Sequence, residues 1–156
     1  MPAMRNFPRA QIMSLEMQYD TDNIFAKILR GELPAVKIFE DDNTLAFMDV
    51  FPQTDGHSLV IHKRTHATNL LDINTAALTD IMASVQRLAK ATSAGLKPDG
   101  IRIAQFNGAP AGQTVFHLHF HVIPIYENKP TVSHGSAGPA SVDVLEPIAE
   151  KIRAAL

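Results

Sequence analysis

The run Gly112-Gln113-Thr114-Val115-Phe116-His117-Leu118-His119-Phe120-His121-Val122-Ile123-Pro124 alternates three histidines with large apolar residues. Side chains of a β-strand point to opposite faces with a period of two. On a strand, His117, His119 and His121 therefore share one face, and Phe116, Leu118, Phe120 and Val122 share the other. The apolar face suits a core. The opposite face presents imidazoles, the side chains whose unperturbed pKa lies nearest neutral pH.

Two chemistries are open to such a row. Catalytic zinc sites use three histidines, but the outer pair here would lie ~13 Å apart at ~3.3 Å per residue, too far for Zn–N bonds of ~2.1 Å to close over all three. Two could bind, with a third ligand from elsewhere. Alternatively, a neutral imidazole nitrogen can attack phosphorus and form a covalent phosphoramidate. That requires the other ring nitrogen to be held as a donor, so that the attacking nitrogen keeps its lone pair. His119, in the middle, is best placed for this role. The charge on the transferring phosphate needs preorganised donors. His117, His57 and the amides of Gly112-Gln113-Thr114 can supply them, and the Thr114 hydroxyl lies within reach of a leaving group. Taken singly, His57, His66 and His134 read as satisfied structural residues.

The elements that must carry this row follow from local signals. Asp20-Thr21-Asp22-Asn23 offers N-caps for a short helix with Ile24, Phe25, Ile28 and Leu29 at helical spacing, stopped by Gly31 and Pro34. Val36–Glu40 and Thr44–Asp49 read as strands of a hairpin around Asp41-Asp42-Asn43, and His57–His62 as a third strand. Leu78, Ile81, Met82, Val85, Leu88 and Ala89 form the stripe of a long amphipathic helix from near Asn74 to Gly95. Ile101–Phe106 and Phe116–Pro124 read as the fourth and fifth strands, joined by a loop of turn formers at 107–112. Residues 127–141 read as a flexible surface segment. Leu145, Ile148, Ala149, Ile152 and Leu156 suggest a terminal helix, with Pro147 near its first turn. The expected fold is α+β, a five-stranded antiparallel sheet with two main helices on one face plus a C-terminal helix.

The totals exclude several classes. The chain has 156 residues, enough for one core, with 46% apolar and 19% charged residues and a net charge of −2. Nothing resembles the basic footprint of a nucleic-acid binder. The chain lacks cysteine, which removes disulfides, thiolate catalysis and cysteine-ligated zinc. No apolar run approaches the ~20 residues of a membrane span, and no secretory signal is evident, so the expectation is a cytoplasmic protein. Residues 1–16 read as a loose extension rather than a transit peptide.

His117-Leu118-His119-Phe120-His121-Val122-Ile123 fits His-φ-His-φ-His-φ-φ, with φ apolar, at every position. The chain thereby resembles the histidine triad superfamily, in particular its bacterial, adenosine phosphoramidase-like branch. The resemblance extends over residues 20–125, through Asn23–Pro34, Leu45–Asp49, Gly56–Ile61 and Ala111–Val115, with 1–19 as an extension and 126–156 as a tail. It implies a homodimer, nucleoside monophosphate binding and a nucleotidyl-histidine intermediate, with no cofactor and no metal. It implies His119 as nucleophile, with His57, His117 and His121 orienting, donating or stabilising. Asp49 would hold the ribose hydroxyls. Ile24, Phe25, Ile28, Phe47, Val50 and Leu59 would line a base pocket, and Asn107, Gln113 and Thr114 would contact phosphate or leaving group. One departure is His62, where relatives usually have proline. The expected activity is hydrolysis or transfer at the α-phosphate of a purine nucleoside phosphoramidate, with an AMP- or GMP-like product. The alternatives are a dinucleoside polyphosphate hydrolase and a nucleotide-binding sensor or scaffold with incidental hydrolysis.

Overall fold

The structure, a computed structural model, describes residues 15–156. The reading of the N-terminal extension lies outside the described residues for 1–14.

Asn23 caps helix α1 (Ile24–Leu29), its side chain accepting from the Ala26 N–H at 2.9 Å. Strands β1 (Lys37–Glu40) and β2 (Thr44–Met48) form the expected hairpin. Its turn is held by Asp41 Oδ1, which accepts from the Asn43 and Thr44 N–H groups. Strand β3 (Ser58–His62) is followed by helix α2 (Thr75–Leu96), then β4 (Gly100–Ala104), β5 (His119–Ile125) and helix α3 (Val142–Arg153). The five strands make one antiparallel sheet in the order β1-β2-β3-β5-β4.

The register assigns the faces. Leu45 pairs with Ile61 and Phe47 with Leu59, while Ile61 and Leu59 pair in turn with His119 and His121. Paired residues project to the same side. One face therefore carries Leu45, Phe47, Leu59, Ile61 and two histidines, and α1 covers it through Phe25, Ile28 and Leu29. The first helix thus lies opposite the long helix, not on the same face as the sequence reading expects, because its apolar residues pack on the histidine side. The other face carries Ala46, Met48, Val60, Phe120 and Val122, which pack with α2 and α3 into the main core.

Several boundaries differ from the sequence reading, each for a local reason. Strand β5 starts at His119, not Phe116, because the Leu118 N–H donates to the Ala67 carbonyl instead of a sheet ladder. Pairing of β4 ends at Ala104, opposite His121, not at Phe106. Met82 turns outward, leaving Ile81, Val85 and Leu88 as the buried stripe of α2. Gly95 lies inside α2 rather than ending it. A Cβ there would strike the Lys151 carbonyl, so this glycine permits the close approach of α3. Lys97, in the left-handed region, and Pro98 then stop the helix. Pro147 sits in the second turn of α3, and Leu156 lies beyond its end. Among the described residues no helix is long and apolar enough to cross a membrane.

Candidate active site

Between α1 and the histidine face lies a cavity of about 550 Å³, within the range of small-ligand sites. Ile24, Phe25, Ile28, Phe47, Val50 and Leu59 form its apolar part. Asp49, His57, Thr114, His119 and His121 form its polar part. Phe51, Gln53, Phe106 and His134 also line it, and the sequence reading assigned none of these.

The hydrogen-bond network assigns the proton positions on the rings. His119 Nδ1 lies 2.7 Å from the His117 carbonyl oxygen, an acceptor only, so Nδ1–H donates and Nε2 keeps its lone pair. The ring of Phe25 packs edge-on against it at 5.0 Å. The Gln53 backbone N–H donates to His57 Nδ1 at 3.0 Å, so a neutral His57 carries its proton on Nε2. That proton is donated to His121 Nδ1 at 2.8 Å, which leaves His121 with an Nε2–H. The Nε2 atoms of His119 and His121 make no hydrogen bond among the described residues, and their rings lie 5.0 Å apart. The site thus presents a lone pair and an N–H side by side.

Burial keeps these rings neutral. It pushes His57 down to about 4, opposed by the Asp49 carboxylate, and His121 down to about 3. It lowers His119 as well, against the pull of the His117 carbonyl. The 3.4 Å approach of His57 Nε2 to Asp49 Oδ2 is therefore a polar contact of a neutral ring rather than an ion pair.

Asp49, His57 and His121 also bring three ligand-type atoms within 4.8 Å of one another. The tautomer of His57 opposes metal binding there. With Nδ1 already accepting from Gln53, coordination through Nε2 would demand a doubly deprotonated ring.

Three expected contact residues lie outside the cavity lining. His117 is buried beside it, with Nδ1 2.7 Å from the Tyr19 hydroxyl, and reaches the site only through its carbonyl. Burial lowers its pKa to about 4. The Gln113 amide accepts from the Gly108 N–H and donates to the Thr68 carbonyl. Asn107 Oδ1 accepts from the Leu70 N–H. Both side chains brace loops around the cavity. His134, read from the sequence as a structural residue, is also part of the site. Its Nε2 lies 3.0 Å from Asp49 Oδ2, although 85 positions separate them. Nothing local in a Gly- and Ser-rich segment signals that contact.

The profile of the HIT domain matches residues 30–128. The chain belongs to the HIT domain family. It is 41% identical over 117 residues to the adenosine 5'-monophosphoramidase of Saccharomyces cerevisiae, covering 75% of this chain and 71% of that protein. It is 40% identical over 103 residues to the protein hit of Bacillus subtilis, covering 66% and 70%. Among solved structures, a Hit-like protein from Bartonella henselae superposes with a TM-score of 0.84 at 46% identity, covering 90% of this chain and all of that one. The α+β architecture read from the sequence is that of this HIT family.

Proposed function

We propose that this HIT domain protein hydrolyses adenosine 5'-phosphoramidates or closely similar purine nucleotide conjugates through a covalent intermediate on His119. The observation that carries this reading is the His119 Nδ1–His117 carbonyl bond, which leaves the Nε2 lone pair at the cavity. Attack on the α-phosphorus forms a P–N bond to His119 and breaks the bond to the leaving amine, which departs with a proton from solvent. Water then cleaves the nucleotidyl-histidine, releasing the monophosphate and restoring the ring. The His121 Nε2–H, set by the Gln53–His57–His121 chain, stabilises the charge on the phosphoryl oxygens. Asp49 accepts from the ribose hydroxyls, and the apolar wall from Ile24 to Leu59 receives the base. The similarity to the yeast adenosine 5'-monophosphoramidase supports this substrate class.

The same reading includes a homodimer. Of the two edge strands, β1 has its Lys37 carbonyl covered by Arg153. Strand β4 receives no hydrogen bond on its outer edge from the described residues and carries Ile103, 43% exposed, with Phe106 just beyond at 38%. Open, apolar edges invite strand pairing.

The test is AMP release from adenosine 5'-phosphoramidate in excess chelator, by wild type and His119→Asn. Release by wild type alone is expected. AMP binding without release would overturn the hydrolase reading in favour of a sensor. Release that stops on chelation would overturn the metal-free mechanism.

A further inference from the structure

The carboxylate expected to receive the ribose is partly occupied, most heavily at Oδ2. Asp49 Oδ1 accepts from the Phe51 N–H at 2.8 Å, and Oδ2 accepts from His134 Nε2–H at 3.0 Å with His57 Nε2 at 3.4 Å. Of the four acceptor positions of a carboxylate, Phe51 takes one on Oδ1 and His134 one on Oδ2, while His57 crowds the second on Oδ2, so a vicinal diol that bonds to both oxygens meets competition at Oδ2. The Phe51 amide is fixed backbone, and the His57 proton is committed to His121. Only the His134 imidazole can leave.

The segment carrying it is built to release it. The Val132 N–H donates to the Gln53 carbonyl at 3.0 Å, and the Ala140 N–H to the Val50 carbonyl at 2.7 Å. Between these two anchors, residues 133–139 are exposed. Gly135 and Gly138 adopt positive φ, with open space where a Cβ would stand. The His134 ring alone turns inward, 36% exposed at the side chain, with ring centroids 5.8 Å from Phe51 and 5.9 Å from His57.

We infer that His134 is a displaceable latch, occupying Asp49 in the free protein and giving way when ribose hydroxyls take the carboxylate. This inference rests on the nucleotide-binding reading. A competitor for one acceptor lowers the affinity only of ligands that need that acceptor. His134 therefore weakens recognition of the ribose diol and leaves recognition of base and phosphate alone.

Calorimetric titration of wild type and His134→Ala with AMP and 2',3'-dideoxy-AMP tests it. The variant is expected to bind AMP about five- to tenfold tighter, with the dideoxy nucleotide changed less than about twofold. Weaker AMP binding would overturn the latch, because the imidazole would then be a ligand contact. An equal gain for both nucleotides, or no change, would overturn it too. A second measurement needs no variant. Nuclear Overhauser contacts between the His134 and Phe51 rings are expected in the free protein and absent at saturating AMP. Their absence in the free protein, or persistence at saturation, contradicts the latch. If neither wild type nor variant binds either nucleotide, the nucleotide reading itself has failed. A failed latch alone leaves wild-type AMP binding intact.

Discussion

Lowering the pH from 7.5 to 5.5 should destabilise this protein sharply while leaving its active-site rings neutral. His57 and His117 have their pKa lowered by burial to about 4, and His121 to about 3. In the unfolded chain the same rings titrate near 6.5. As pH falls through 6.5, the unfolded state binds protons that the folded state refuses, so folding stability falls with pH. Between pH 7.5 and 5.5 the linkage amounts to a little over ~1 kcal/mol per histidine, and about 4 kcal/mol as an upper bound for the three. That is a large share of the 5–15 kcal/mol typical of a folded domain. Urea unfolding at the two pH values, at fixed protein concentration, reads the difference. His117→Gln removes one of the three rings from outside the cavity and should recover about a third of the loss. Burial lowers His119 as well, so between pH 7.5 and 5.5 kcat/KM per folded molecule should fall less than the roughly tenfold loss expected of an ordinary imidazole nucleophile. Equal or greater stability at pH 5.5 would refute the argument that burial holds these rings uncharged.

Phe25 is buried against Phe47 and stands edge-on to His119. Phe25→Ala should cost about 3–5 kcal/mol of stability, and in the surviving folded fraction it should raise the pKa governing kcat/KM as water reaches His119. Urea unfolding and a pH–rate profile read the two effects. Ile103→Lys places a charge on the open β4 edge, and light scattering should then report a monomer where wild type is a dimer. A wild-type monomer would contradict the dimer proposal.

Much of the fold was legible because its signals are periodic and local. The alternation of His119 and His121 with Phe120 and Val122 assigned those residues to opposite faces, and the sheet register repeats that split. The cap candidates at Asp20–Asn23 marked one helix start, where the Asn23 side chain accepts from Ala26, and the apolar stripe placed the other near Asn74, whose side chain accepts from Ala77. What was not legible was tertiary. Nothing in the alternation reveals that the Leu118 N–H bonds to the Ala67 carbonyl, which takes His117 out of the strand and leaves its carbonyl, rather than its ring, in contact with His119. The family resemblance implied Asn107 and Gln113 as ligand contacts; in the structure their amides bond to backbone groups of the loops at 68–70 and 108, an engagement no local pattern announces. His134 was least legible, because a turn-rich segment says nothing about the distant carboxylate it meets.

The central claim is a covalent bond between His119 Nε2 and the α-phosphorus. Wild-type protein mixed with adenosine 5'-phosphoramidate, quenched within a turnover and digested, should yield the peptide carrying His119 with the added mass of one adenylyl group. The label should be labile to acid and absent from His119→Asn. Steady AMP release by wild type with no such adduct in single-turnover quenches, or an adduct mapped to His57, His117 or His121, would contradict it.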